Sequence, residues 1–111
     1  MEFVFSIMIG KDSMNESFFE YLKNENIRLV FNPYIMEYSN SEESEYSKDL
    51  NYFADLSKKY SMEIVRVSGI GNTLGFQASG RSYYASPTGI KWKVANSENN
   101  MEIIKTVNIN V

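Results

Sequence analysis

The chain has 111 residues, 43% hydrophobic and 14% aromatic, which suffices for one domain (residues 1–111) with a real core. It holds neither cysteine nor histidine, which excludes disulfides, thiolate metal sites, thiol nucleophiles, the commonest general base and the commonest zinc ligand. The net charge of −3 is unevenly spread, with 6 Lys+Arg against 11 Asp+Glu in residues 1–60 and 5 against 3 in residues 61–111, an acidic bias that argues against general nucleic-acid binding by the first half.

Residues 2–9 alternate Phe3, Phe5, Ile7 and Ile9 with Glu2, Val4, Ser6 and Met8. Both faces are largely apolar, so an interior strand is expected. Glu2 stands where a signal peptide carries positive charge, and no apolar run approaches the ~20 residues that span a bilayer. We therefore expect a cytoplasmic protein that makes no membrane contact. Ser13-Met14-Asn15-Glu16 has the pattern of a capping box. A helix should follow to about Asn24, with Met14, Phe18, Tyr21 and Leu22 facing inward and Asn24 and Asn26 suited to a left-handed stop.

Ile27 to Phe31 reads as a strand, Asn32-Pro33 as an interruption, and Tyr34 to Tyr38 as a further strand. The longest segment with one period is 40–61. Tyr46, Leu50, Phe53, Leu56 and Tyr60 mark one side of a helix of 3.6 residues per turn. Asn40 or Ser41 can cap it, Glu42, Glu43 and Glu45 suit its positive end, and Lys58 and Lys59 its negative end. Met62 to Val67 is rich in β-branched residues and strand-like.

The rest reads as short antiparallel strands: Thr73 to Ser79, Ser82 to Ser86, Ile90 to Ala95 and Met101 to Val111. Ile90, Trp92 and Val94 alternate with Lys91, Lys93 and Ala95, which predicts one buried and one wet face. The order β-α-β-β-α-β followed by a β-meander predicts an α+β fold. Its sheet would be mainly antiparallel, with two helices on one face around a ferredoxin-like core.

Candidate sites are few. Gly69-Ile70-Gly71-Asn72-Thr73-Leu74-Gly75 has the glycines of a phosphate loop, but a strand rather than a helix follows it. Glu42, Glu45 and Asp49 share a helix side, where a solvated acidic face is the expected reading and no second carboxylate cluster completes a metal site. Arg81, Tyr83, Tyr84, Lys91 and Lys93 could form a basic aromatic platform, but two lysines fall short of a basic stripe. No set of nucleophile, base and stabiliser is complete, so no catalytic residue, cofactor or metal is expected.

The chain carries 8 Tyr, 14 Ser and 12 Asn, and Tyr34, Tyr38, Tyr52 and one of Tyr83 and Tyr84 should be exposed. Such residues serve recognition surfaces, although AT-rich coding would enrich them too. The sequence thus leads to a non-enzymatic acidic binding protein that neutralises a partner protein, of the immunity-protein or phage anti-defence type. Glu37, Tyr38, Glu42, Glu43, Glu45, Asp49, Tyr52, Tyr83 and Tyr84 would meet a basic surface on the partner. A small-ligand or nucleotide module using Gly69, Gly71, Asn72 and Arg81 is the alternative. A structural subunit is the third reading, and a homo-oligomer is compatible with each.

Overall fold

The computed structural model describes residues 4–35, 42–73, 76–95 and 103–109, leaving aside the side chains of residues 42, 43, 71–73 and 76–79. Strands β1 (Ser6–Ile7), β2 (Leu29–Tyr34), β3 (Glu63–Ser68), β6 (Tyr83–Ser86) and β7 (Gly89–Lys93) form one sheet in the order β1-β2-β3-β6-β7. Strands β4 (Ile70–Thr73) and β5 (Phe76–Ser79) form a separate antiparallel pair. Helix α1 (Glu16–Asn24) connects β1 to β2, and helix α2 (Glu42–Tyr60) lies between β2 and β3.

The sheet is mixed, so the expectation of a mainly antiparallel, ferredoxin-like core is wrong. β1, β2 and β3 run parallel, β6 runs antiparallel to β3, and β7 antiparallel to β6. The physical reason lies at Asn32-Pro33, read from sequence as an interruption between two strands. It is the interior of one strand, in register with Arg66 and Val67. The carbonyls of Arg28 and Tyr34 face β3, accepting from Glu63 N at 2.7 Å and Gly69 N at 3.4 Å, whereas the Phe31 carbonyl faces β1 and accepts from Met8 N at 3.0 Å. By alternation, Pro33 turns its missing donor to the β1 side, where β1 ends at Ile7 and the Asn32 side chain takes up the Met8 carbonyl. With one strand there instead of two, each of the first two helices connects neighbouring parallel strands, as a βαβ unit requires.

The helix ends follow local chemistry. The expected Ser13 capping box does not form. Gly10–Met14 is a 3₁₀ turn, and the Asn15 side chain caps α1 by accepting from Ser17 N at 3.2 Å. Phe19 and Leu22 are buried, whereas Phe18 and Tyr21 of the helix and Met14 before it are exposed, against the expectation that these three face inward. Asn26 takes the left-handed conformation (φ 59°), and Ile27 N reaches Leu22 O at 2.9 Å. Ser61 (φ 52°) closes α2 in the same way, with Met62 N on Ser57 O at 2.9 Å.

The stripe of α2 behaves as expected. Tyr46, Phe53, Leu56 and Tyr60 are buried, and Leu50 is half-buried against them. They meet Phe19 and Leu22 of α1 and Val30, Ile64, Tyr83 and Ala85 of the sheet, so both helices cover one face. The regular alternation expected after Gly89 is broken. Tyr84 pairs with Trp92 but Ala85 pairs with Ile90, so Lys91 is the extra residue of a bulge. Ile90 therefore packs toward α2 and Trp92 toward the other face. Residues 103–109 form no strand, against the expectation for Met101–Val111, whose outer residues lie outside the described ones.

Phe53 is fully buried at the centre of this face. Its replacement by alanine should cost about 3–5 kcal/mol in chemical denaturation, whereas Tyr21→Ala on the exposed side of α1 should change stability by no more than about 0.5 kcal/mol.

Candidate functional site

Between α2 and the sheet sits a buried polar cluster built on Arg66. Its parity in β3 is that of Ile64, so its side chain enters the helix-covered face. Arg66 is 3% exposed. Its guanidinium grips Asp49 of α2 in a two-point contact, Nη2 to Oδ1 at 2.7 Å and Nε to Oδ2 at 3.2 Å. Nη1 donates to Asn32 Oδ1 and, at 3.4 Å, to Ser13 Oγ. The cation also lies 3.7 Å from the Tyr34 ring centroid and 3.9 Å from that of Phe53.

The partners are themselves held. Asn32 Nδ2 donates to Met8 O at 2.7 Å and Gly10 O at 3.3 Å, which ties the chain after β1 to β2. Ser13 Oγ donates to Gly10 O at 3.0 Å. Tyr83 Oη donates to Asp49 Oδ2 at 2.6 Å, and Tyr34 Oη to the Arg81 carbonyl at 2.7 Å. Burial drives the Tyr34 and Tyr83 hydroxyls far above the ordinary tyrosine range, the nearby Arg66 charge opposing that rise and Asp49 adding to it. Both remain neutral donors across the physiological range.

Over this cluster opens a cavity of about 240 Å³. Ser13, Asp49 and Arg66 line its polar part, Met14 and Ile35 its apolar rim, and Lys11 its edge. It lies at the carboxyl ends of the parallel strands, where ligands bind in open sheets of this kind.

Of the residues singled out from sequence, only Asp49 and Tyr83 meet here. Asp49 is not part of a solvated acidic face, because it stands one turn from Tyr46 and Phe53 and turns inward with them. Glu45 stays on the exposed side. Glu42 and Glu43 belong to α2, but their side chains, like residues Glu37 and Tyr38, lie outside the described ones. Tyr52 is half-buried, donating to Met14 O at 3.2 Å. Tyr83 and Tyr84 are both buried, on opposite faces of β6, so neither is an exposed anchor and the two share no platform. Gly69 precedes β4 and Gly71 and Asn72 belong to it. The loop thus runs from strand to strand, which removes the helix end a phosphate would need. Arg81 is buried, its guanidinium 4.8 Å from the Tyr46 ring centroid.

Sequence reasoning missed Arg66, Asn32, Ser13 and Tyr34. A signal was present: Arg66 shares the parity of Ile64, and an inward arginine demands a buried acid. Asp49, an acid within an apolar stripe, was that partner. Among the described residues no group of three or more acidic residues could hold a metal, and no helix is long and apolar enough to cross a membrane.

No family model matches the chain, and no curated protein matches it. Solved structures do. The chain is similar to a glutamine-dependent NAD+ synthetase from Acinetobacter baumannii, at a TM-score of 0.70 and 18% identity, over 79% of this chain and 16% of that one. It is similar to a carbon-nitrogen hydrolase from Helicobacter pylori, with a TM-score of 0.70 and 11% identity over 86% and 41% of the two chains. A third is an amidase from Nesterenkonia, solved with the acetamide moiety of fluoroacetamide added covalently at the active-site cysteine (TM-score 0.66, 11% identity, 79% and 32% covered). Another mutant of that amidase is described as belonging to the nitrilase superfamily. The fold is that of part of these enzymes. The chain spans less than half the length of each.

This overturns the reading of a non-enzymatic inhibitor of the immunity or anti-defence type. That reading rested on exclusion and on an acidic face of a ferredoxin-like domain, and the architecture instead is one used by nitrilase-superfamily enzymes. The cysteine of the amidase has no counterpart among these 111 residues.

Two outcomes follow from the cluster. Asp49→Ala should strand the Arg66 charge and cost about 3–5 kcal/mol in urea denaturation, whereas replacing both residues by apolar ones of similar size should recover most of that loss. A folded-state pKa raised above the unfolded value of about 10 makes the tyrosine contribution complete below pH 10 and lost as pH climbs above it. Stability should therefore fall above pH ~10, with phenolate absorbance rising in a step at unfolding, and Tyr83→Phe should flatten that fall.

Proposed function

We propose that this chain carries part of a carbon-nitrogen hydrolase-type site, in which the cavity above Arg66 receives a small amide or the acid released from it. The supporting observation is the position of that cavity. It sits at the carboxyl ends of three parallel strands, with charged and hydroxyl groups at its base and apolar side chains at its rim, in a fold shared with amide-cleaving enzymes. Ser13 Oγ and the Arg66 guanidinium would bind the polar end, and Met14 and Ile35 a short alkyl tail. The fixed cation is already neutralised by Asp49, so a neutral amide is held by directed hydrogen bonds and not by net charge. Covalent attack of the kind seen in the Nesterenkonia amidase needs a thiol that these residues do not supply. Their part is binding and orientation, and bond cleavage draws on a group beyond them. As part of the same reading we assign the protein to the cytoplasm, on its cysteine-free composition.

Acetamide, butyramide and butyrate titrated against the chain, followed by thermal shift, provide the test, because binding to the folded state alone raises its melting temperature. Butyramide should raise it more than acetamide. Ile35→Glu, at the exposed rim of the cavity, should abolish the shift without unfolding the chain. No shift with any of the three, or an undiminished shift in Ile35→Glu, would overturn the reading.

A further inference from the structure

The opposite face of the sheet carries a second and larger cavity, of about 600 Å³, between β3, the turn joining β6 to β7, and residues 103–109. That volume lies within the range of small-molecule sites. At its base is Glu63, only 9% exposed. Its Oε2 accepts from Tyr84 Oη at 2.7 Å, and among the described residues Glu63 makes no ion pair. One neutral donor compensates little of what a carboxylate loses when withdrawn from water.

The cavity's other groups complement that carboxylate. Trp92 and Tyr84 supply aromatic surface, Tyr84 kept as a neutral donor by burial and by its bond to Glu63. Lys91 and Lys105 line the same space and are exposed at its edge. Lys91 reaches it because it is the bulged residue of β7. Without the bulge it would share a face with Ile90's neighbours on the helix side, and bulges commonly re-aim a side chain toward a site. A buried acid, an aromatic wall and two cations at the mouth make a sequence of charges that neither a simple anion nor a simple amine satisfies.

We propose that this cavity binds a small zwitterion, an aminocarboxylate whose ammonium meets Glu63, whose body lies along Trp92 and whose carboxylate meets Lys91 and Lys105. The site is on the other face from the amide cavity and stands or falls independently of it. Trp92 is the only tryptophan in the chain, so its fluorescence reports occupancy directly.

The experiment titrates glycine, γ-aminobutyrate, ε-aminocaproate and phenylalanine against the chain, with butylamine and butyrate as single-charge controls. At least one zwitterion should change Trp92 emission saturably and bind more tightly than both controls. Glu63→Gln should weaken it about tenfold, the equivalent of roughly 1.4 kcal/mol for one charged contact. The surface pair Lys91→Ala with Lys105→Ala should also weaken it, and keeps the test decisive if Glu63→Gln does not fold. Ile35→Glu should leave it unchanged. Absence of any saturable change, butylamine or butyrate binding as tightly as the zwitterions, or indifference to the lysine pair would each overturn the proposal.

Discussion

The Arg66–Asp49 pair is the constraint on which this structure turns. It is the described contact in which a helix and the sheet exchange charge out of reach of water, with side chains 4% and 11% exposed. A guanidinium in that position cannot deprotonate, so it must be satisfied by geometry. The chain does so on every side: Asp49 from α2, Asn32 from β2, Ser13 from the turn after β1, and rings above and below. Four separate segments thus find their relative positions by reference to one side chain. Desolvation makes such a cluster a poor source of net stability, and a good source of specificity where each member has one arrangement that satisfies it.

That cluster also explains where the helix-side cavity lies. Parallel strands end together, and the turn after β1 must cross above them to begin α1. Asn32 holds that turn by two of its carbonyls, Met8 and Gly10, so the crossing backbone stays off the Arg66 head and leaves a recess beside it. The recess is therefore a product of the same hydrogen bonds that fix the fold, and it is lined by groups already locked in place. Preorganisation of this kind is what a site that orients a neutral substrate needs.

Legibility in the sequence followed how local each signal was. The helix at 42–60 was legible because its stripe, Tyr46 to Tyr60, repeats over about four turns, and the left-handed stop at Asn26 because asparagine tolerates that conformation. Strand direction was not legible. Nothing in Leu29–Tyr34 or Glu63–Ser68 states whether its neighbour runs parallel, and a proline at position 33 suggests a break unless one knows which side of the strand it faces. The site was missed for a related reason. Asp49 was grouped with Glu42 and Glu45 by charge, when its place one turn from Tyr46 and Phe53 put it on the inward side. The β-branched run around Arg66 masks its inward direction in the sequence. Composition misled as well: the tyrosines expected on the surface are largely inside, because Tyr34, Tyr83 and Tyr84 each find a buried acceptor for the hydroxyl.

The two faces of the sheet answer to different physics. On the helix side the buried Arg66 is paired with Asp49, and the apolar stripe of α2 excludes water. On the other side Phe5, Ile7 and Val67 stay exposed, and the buried Glu63 has a phenol for company. One residue marks the divide. Because Lys91 is inserted into β7, Ile90 stays with the helix-side core while Trp92 turns to the face of Tyr84 and Glu63. Without the bulge Ile90 and Trp92 would lie on one face, and the two surfaces could not each receive an apolar side chain from β7. A single extra residue therefore serves both surfaces, closing one core and shaping the cavity on the reverse.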